Sequence, residues 1–237
     1  MYSFRAQHGA VDLAFTDRFD GVSGAPFDSL NLAIEGDDPP QARAENLRLL
    51  LEDFGPGDAL ADLRQVHGND VVLARGPVDR AEADGLVTDR PGVVLLVRAA
   101  DCVPVLLADA DARVVGAAHS GRAGVVRGVV AETVRRMRGL GADRIRAWVG
   151  PHVCGACYEV PAALRDEVAA VEPATRATTS WGTPALDLGA GVRAQLEREG
   201  VDVEEVGRCT REDAALYSYR RDGAGAGRLA GLVRIGS

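Results

Sequence analysis

A chain of 237 residues with 46% hydrophobic residues can form one large α/β domain or two small ones around a packed core. Its formal net charge of −8 argues against a general nucleic-acid surface, and no apolar run approaches the roughly 20 residues of a membrane span. All 27 basic residues are arginine. With no basic-then-apolar leader at its start, the sequence reads as a cytoplasmic protein, so its four cysteines are expected to be ligands, nucleophiles or buried thiols rather than disulfides.

In chain order, Val11–Thr16 reads as a strand and "DGVSGAPFDSLNLAIEGDDPP" as a long turn-rich segment. Pro39–Phe54 has prolines at its start, Leu47, Leu50, Leu51 and Phe54 on one stripe, and Gly55 to stop it, which predicts a helix. Leu63–Val66 and Val71–Ala74 are short strands around the turn sequence "HGND", and Val93–Val97 is a buried strand. A helix is expected from near Gly121, capped by Ser120 and ended by Gly139 or Gly141. Arg144–Val149 is a strand, while Pro161–Val171 and Gly189–Glu199 are helices. The tail "YSYRRDGAGAGRLAGLVRI" is a glycine-rich turn between two strand-like runs. Interleaved strands and helices with no linker or repeat predict one compact α/β domain over 1–237, with a mixed β-sheet core flanked by helices.

The stretch "ADCVPVLLADADARVVGAAHSGRAG" carries the first chemistry. Its apolar runs, Val103–Ala108 and Arg113–Ala118, flank an acidic loop and read as a β-hairpin. If Ala108 faces Arg113, opposed residues have numbers summing to 221, and so do Cys102 and His119. Directly opposed residues share a sheet face with Cβ atoms roughly 4.5–5.5 Å apart. That separation suits a Cys–His catalytic pair and two ligands of one metal equally. A one-residue slip would break it, because side chains alternate faces.

His67, in "RQVHGND", stands at a strand end before a turn. Cys102, His67 and His119 would make a three-ligand zinc set with the fourth position open to water or substrate. The rival is a Cys–His hydrolase, with Cys102 as thiolate and His119 as base, which gives His67 no role. Packing of Cys102 in a core is the plain alternative to both. In "GPHVCGACYEV", His152, Cys154 and Cys157 stand close together. A C-x-x-C is half a zinc site or a redox pair, with only Cys209 and His8 as distant further ligands, and buried thiols are the simpler reading. Ser120-Gly-Arg122 opens the helix after His119, where backbone N–H groups and an arginine would seat an anion. Arg98, Arg220, Arg221 and Arg228 are further anion candidates.

At this point the sequence resembles the YfiH/YlmD-like proteins, labelled variously multicopper polyphenol oxidase (laccase), purine nucleoside phosphorylase and peptidoglycan editing factor. The ordered series "GVSGAPFDSLNLAIEGDDP", "RQVHGNDV", "ADCVPVLLAD", "GAAHSGRAG", the glycine-proline and "YEV" of "GPHVCGACYEV", and "CTREDAALYSYRRDG" carries the resemblance over nearly the whole chain. It implies a YfiH-like fold, related to the cysteine-hydrolase-like fold, and zinc ligation by His67, Cys102 and His119. It also implies phosphate-dependent cleavage of adenosine, inosine, guanosine or methylthioadenosine, with inorganic phosphate as co-substrate, and deamination of adenosine. A zinc-bound water can attack C6 of adenine. Asp101, beside Cys102, is a weak candidate for proton donor, because strand alternation turns it from Cys102's face. Ser29 and Asn31 of "SLNL", with Gln65, Arg122 and Arg220, are the expected substrate-binding set; for Ser29 and Asn31 an Asx-type turn is the alternative. The sequence departs from the family at His119-Ser-Gly-Arg122-Ala-Gly124, where relatives commonly read His-Ala-Gly-Trp-Arg-Gly. The rival functions are a metal-free Cys–His hydrolase, a peptidoglycan editing factor and a copper phenol oxidase. Four scattered histidines are few for several coppers, which makes the last the weakest.

Overall fold

A computed structural model of the chain describes residues 1–206 and 208–236. The strands form two six-stranded sheets. The first runs from edge to edge as Tyr2–His8, Val11–Thr16, Leu229–Ile235, Val93–Ala99, Ala59–Arg64 and Val78–Glu82. The second runs as Asp202–Glu205, Arg146–Val149, Val103–Asp109, Val114–Ser120, Gly85–Thr88 and Val71–Leu73. Both are mixed. Ala59–Arg64 lies parallel to both its neighbours, and the second sheet has a parallel pair at each edge.

Strand periodicity explains why the central strands read as unbroken apolar runs. Val93, Leu95 and Val97 face the other sheet, whereas Val94 and Leu96 pack beneath the Pro40–Phe54 helix with Leu50 and Phe54. In the second sheet Leu106 and Ala108 face inward, and Val103, Val105 and Leu107 pack against the helices Val129–Gly139 and Leu188–Arg198. The chain is therefore a four-layer stack, helix, sheet, sheet, helices, in which a central strand has no wet face. Continuous apolar runs signal this burial but do not say which sheet a strand joins, so the core read as one mixed sheet is two.

The structure corrects several local expectations. The hairpin pairs Pro104 with His119 and Asp109 with Val114, so opposed numbers sum to 223 instead of 221. A two-residue offset keeps each residue on its face. Cys102 and His119 thus still point between the sheets, as diagonal neighbours. The two strands expected around "HGND" run Ala59–Arg64 and Val71–Leu73 and lie in different sheets. Ser120 does not cap the next helix. It ends the Val114–Ser120 strand, and Gly121 occupies the cap position of a six-residue helix, Arg122–Arg127. Gly128, in the left-handed region at φ 74°, breaks the expected single helix, and a second one runs Val129–Gly139. In the tail, Ser218 accepts from the Arg221 N–H and starts a helical turn, Tyr219–Asp222, where a strand was expected.

Candidate metal and active site

The site lies where the two sheets part. The Ala59–Arg64 and Val93–Ala99 strands of the first sheet and the Val103–Asp109 and Val114–Ser120 strands of the second end around one cavity of about 790 Å³. His67, Cys102 and His119 line it, and their ligand atoms lie within 4.8 Å of one another. Cys102 Sγ is 3.8 Å from His67 Nε2, and the two imidazole rings meet edge to face with centroids 4.9 Å apart.

One carboxylate aligns two of these three. Asp84 is fully buried, immediately before the Gly85–Thr88 strand. Its Oδ1 bonds His119 Nδ1 at 2.8 Å, which leaves His119 Nε2 for the cluster. Its Oδ2 accepts from the N–H groups of Val66 at 3.1 Å and Gly68 at 2.6 Å, on either side of His67. A carboxylate behind a histidine fixes its tautomer and raises its basicity, as outer-shell partners of metal-binding histidines do. Arg127 completes the clamp by donating to the His67 carbonyl at 2.6 Å.

His67 and Asp101 both adopt positive φ, 56° and 85°. For non-glycine residues such backbone costs on the order of 1–3 kcal/mol and persists only where surrounding bonds impose it. At Asp101 those bonds are explicit. Its carboxylate, 7% exposed, accepts from Thr210 Oγ1 and from the Arg220 N–H, each at 2.6 Å, and its carbonyl accepts from the Val153 N–H at 3.1 Å. Next to it, Gly121 leaves room for the cluster. A Cβ there would lie 2.8 Å from His67 Cδ2 and 2.9 Å from Cys102 Sγ.

Burial raises the Cys102 thiol, but His119 and His67 beside it outweigh burial and pull it down to about 6. Burial lowers His119, but the Cys102 sulfur and Asp84 overcome it and raise the imidazole to about 9. Between those values the pair is thiolate and imidazolium. A thiolate and two imidazoles with one histidine oriented by a carboxylate form the N/S donor set that a borderline-soft divalent ion takes, and three ligands leave a position open to the cavity.

Of the other residues expected at the site, Asp101, Gln65 and Arg220 line the cavity, and Ser29, Asn31 and Arg122 do not. Gln65 is tied to the Arg98 backbone, donating to its carbonyl and accepting from its N–H at 2.7 Å each. Asn31 makes the Asx turn weighed for it, its Oδ1 accepting from the Ala33 N–H, and it also accepts from the Arg228 N–H. Ser29 bonds to the backbone of Gly21 and Arg18. Arg122 is exposed on a helix of only six residues, so the expected anion seat at that helix start lacks both its arginine and its length.

The four arginines named from sequence divide cleanly. Arg98 also lines the cavity but is buried in an ion pair with Asp62, and Arg221 is bonded to four nearby carbonyls and Asp222. Arg220 and Arg228 line the cavity and form no ion pair among the described residues. The Arg220 guanidinium sits 4.6 Å from the Tyr158 ring centre, and Tyr158 and Tyr219 supply aromatic wall. His152 is bonded to the Gly150 carbonyl and His8 packs on Trp148, so two of the four histidines meet at the site.

A family model described as multi-copper polyphenol oxidoreductase laccase matches residues 12–236. The chain belongs to this laccase-domain family. Within it, the chain is 53% identical over 226 residues to a purine nucleoside phosphorylase of Streptomyces coelicolor, covering 92% of this chain and 93% of that one. It is 43% identical over 234 residues to one of Deinococcus radiodurans, covering 98% and 92%. The fold matches a Neisseria meningitidis protein of family DUF152 with a TM-score of 0.88 at 30% identity, covering 99% of each chain. It also matches YlmD of Geobacillus stearothermophilus with a TM-score of 0.85 at 28% identity, covering 96% and 93%. The fold is thus the YfiH-like α/β fold expected from the sequence. Among the described residues no helix is long and apolar enough to cross a membrane.

Sequence reasoning missed Asp84, Gly121 and Arg127 in this laccase-domain chain. Asp84 lies in "EADGLV", where nothing local separates it from a surface acid. Gly121 reads as a helix-start residue, and its role depends on which side chains cross above it.

Proposed function

We propose that this protein is a zinc-dependent purine nucleoside phosphorylase, acting on adenosine, inosine, guanosine or methylthioadenosine, with adenosine deaminase activity at the same site. The observation that carries the reading is one cavity holding a three-donor cluster, two arginines without ion pairs and two tyrosines. Relatives named purine nucleoside phosphorylase at up to 53% identity support it.

In phosphorolysis a phosphate oxygen bonds to C1′ of the ribose as the bond from C1′ to the purine nitrogen breaks, giving ribose 1-phosphate and free base. Arg220 and Arg228 bind the phosphate dianion, since neither is neutralised by a carboxylate partner among the described residues. Tyr158 and Tyr219 form the apolar, stackable wall that a purine requires. Asp101 is a positioning residue: with both carboxylate oxygens bonded, it holds the Arg220 backbone in place and does not deliver a proton. Asn31 positions Arg228 in the same way. His67, Cys102 and His119 would hold a zinc ion, which would supply Lewis-acid chemistry and lower the pKa of water. In deamination water adds at C6 of adenosine and ammonia leaves, giving inosine.

A second reading, a metal-free cysteine hydrolase, draws on the lowered Cys102 thiol and its imidazolium neighbour. It leaves the precise setting of His67 by Asp84 and Arg127 without a purpose. A copper oxidase with several coppers needs more histidines than the two that meet here.

The deciding experiment follows free adenine, hypoxanthine and inosine from adenosine, with and without phosphate, before and after a chelator. Adenine that forms only with phosphate, and is lost on chelation, supports the proposal. The absence of both adenine and hypoxanthine under every condition overturns it. Activity that survives chelation and is abolished by alkylation of Cys102 selects the hydrolase.

A further inference from the structure

The remaining three cysteines gather at a different place. Cys154, Cys157, Cys209 and Glu212 present three sulfurs and a carboxylate oxygen within 4.8 Å of one another. None of the four lines the cavity at Cys102. Cys157 Sγ is 3.3 Å from Glu212 Oε1, the Cys154 N–H points to Cys209 Sγ at 3.4 Å, and all the cysteines are free thiols.

The backbone builds this cluster from two matching turns. Across Cys154-Gly-Ala-Cys157, the N–H groups of Cys157 and Tyr158 both donate to the Cys154 carbonyl at 3.0 Å. Across Cys209-Thr-Arg-Glu212, the Asp213 N–H donates to the Cys209 carbonyl at 3.0 Å. Two cross-bonds set the turns side by side: Thr210 N–H to the His152 carbonyl at 3.0 Å, and His152 N–H to the Arg208 carbonyl at 3.2 Å. Each turn thus offers two ligand side chains at an i, i+3 spacing, which is the spacing of paired ligands in structural zinc sites. The arginines flanking the second turn are engaged elsewhere: Arg208 pairs with Asp213, and Arg211 lies over Trp181. Among the described residues neither pairs with Glu212.

We propose that Cys154, Cys157, Cys209 and Glu212 bind a second thiophilic divalent ion, zinc, in a closed four-ligand structural site. Three soft sulfurs and one oxygen suit zinc, and calcium or magnesium would require mostly oxygen. Tetrahedral bonds of about 2.3 Å place ligands about 3.7 Å apart, so the donors need only side-chain rotation to close around it.

The site fastens a segment that lines the first cavity to a turn that holds other residues around it. The 150–158 segment supplies Val153 and Tyr158 to that lining. The 209–213 turn supplies Thr210, which holds the Asp101 carboxylate, and the Thr210 and Asp213 carbonyls, which accept from Arg221. Four ligands leave no open position, so the second ion stabilises the lining and takes no part in turnover.

The test is metal content of the full chain, purified without a histidine tag and dialysed against zinc-free buffer. The parent is expected to carry about two zinc ions and Cys102→Ser about one, since only the first site loses a ligand. Adding Cys209→Ser to Cys102→Ser is expected to remove the remaining zinc. Should that double variant not fold, the Cys102→Ser chain alone decides. Its Cys154 and Cys209 are then expected to resist alkylation until a chelator is added, and to be modified afterwards. A Cys102→Ser chain without bound metal overturns the proposal, as does a native mass lower by two hydrogens, which marks a disulfide. Zinc counting needs no nucleoside, so its outcome is separate from that of the phosphorylase reading.

Discussion

The two cysteine clusters of this chain use the same atom for opposite ends. At Cys102 the sulfur sits between two imidazoles at a cavity, and His119 and His67 pull its thiol down to about 6 despite burial. At Cys157 the sulfur faces a carboxylate and another thiol, and burial together with Glu212 pushes it up to about 12. The first arrangement, with three donors and an open side, suits chemistry. The second, with four donors on two paired turns, suits fastening. Cysteine reactivity is set by whether cationic or anionic groups crowd the sulfur, and this molecule shows both settings.

The largest test of that contrast removes Cys102. Cys102→Ser is expected to lower kcat/KM for phosphorolysis on the order of 10³-fold, the several kcal/mol that a Lewis acid supplies, with the melting temperature little changed. Cys209→Ser is expected to do the reverse, lowering the melting temperature more than kcat/KM. Thermal melts and initial rates on both variants check this, and equal effects of the two on both quantities would erase the distinction. Next in size is Asp84→Asn. Loss of a partner behind a metal-binding histidine typically costs 10- to 100-fold in metal affinity or activity. Here Asp84 serves both His119 and the His67 loop, so the upper end is expected. Zinc titration of the variant reads the loss, and affinity unchanged within a factor of about two would show that Asp84 serves only the fold.

Gly121→Ala is a smaller and more local perturbation. Its backbone is extended, at φ −81° and ψ −176°, and tolerates alanine, so only the Cβ contacts with His67 and Cys102 matter. Those contacts must open by several tenths of an ångström, and about a tenfold weaker first-site zinc affinity is expected, since misplaced ligands lose coordination energy steeply. The second site should keep its zinc. Loss of both ions would mean that the change spread through the fold.

Much of this was legible in the sequence because it depends on local patterns. The apolar runs located the central strands, the proline-to-Gly55 signature located the first long helix, and strand alternation put Cys102 and His119 on one face even though the hairpin register was two residues off. Parity, which is what matters for a shared face, survived that error. What the sequence withheld depends on contacts between distant segments. Asp84 reaches His119 across 35 residues, Cys154 reaches Cys209 across 55, and Asp101 reaches Thr210 across 109. The cut between two sheets was hidden for the same reason, because a strand buried on both sides reads alike whether a helix or a second sheet covers it. The helix break at Gly128 was legible in principle, but a lone glycine inside a helical pattern does not announce whether it bends, caps or merely weakens.

The smallest expected effect is the most specific. In metal-free protein, Cys102 should be the thiol that iodoacetamide modifies first. The sign follows from its pKa: a thiol lowered to about 6 is mostly thiolate by pH 7, so its rate rises through pH 6 and then levels. An ordinary thiol near 8.5 keeps gaining rate up to pH 9. At pH 7 Cys102 would hold about thirtyfold more thiolate than an ordinary cysteine, but a thiolate of lower pKa is also roughly tenfold less nucleophilic, leaving about a two- to threefold advantage. The rate alone is therefore a weak discriminator, and the pH profile is the strong one. Cys157, held up to about 12, should stay unmodified across the same range. A Cys102 profile that rises only above pH 8 would mean that His119 does not hold its proton beside the sulfur. The thiolate would then form only when a metal ion displaces the thiol proton, and the hydrolase reading would lose its one support.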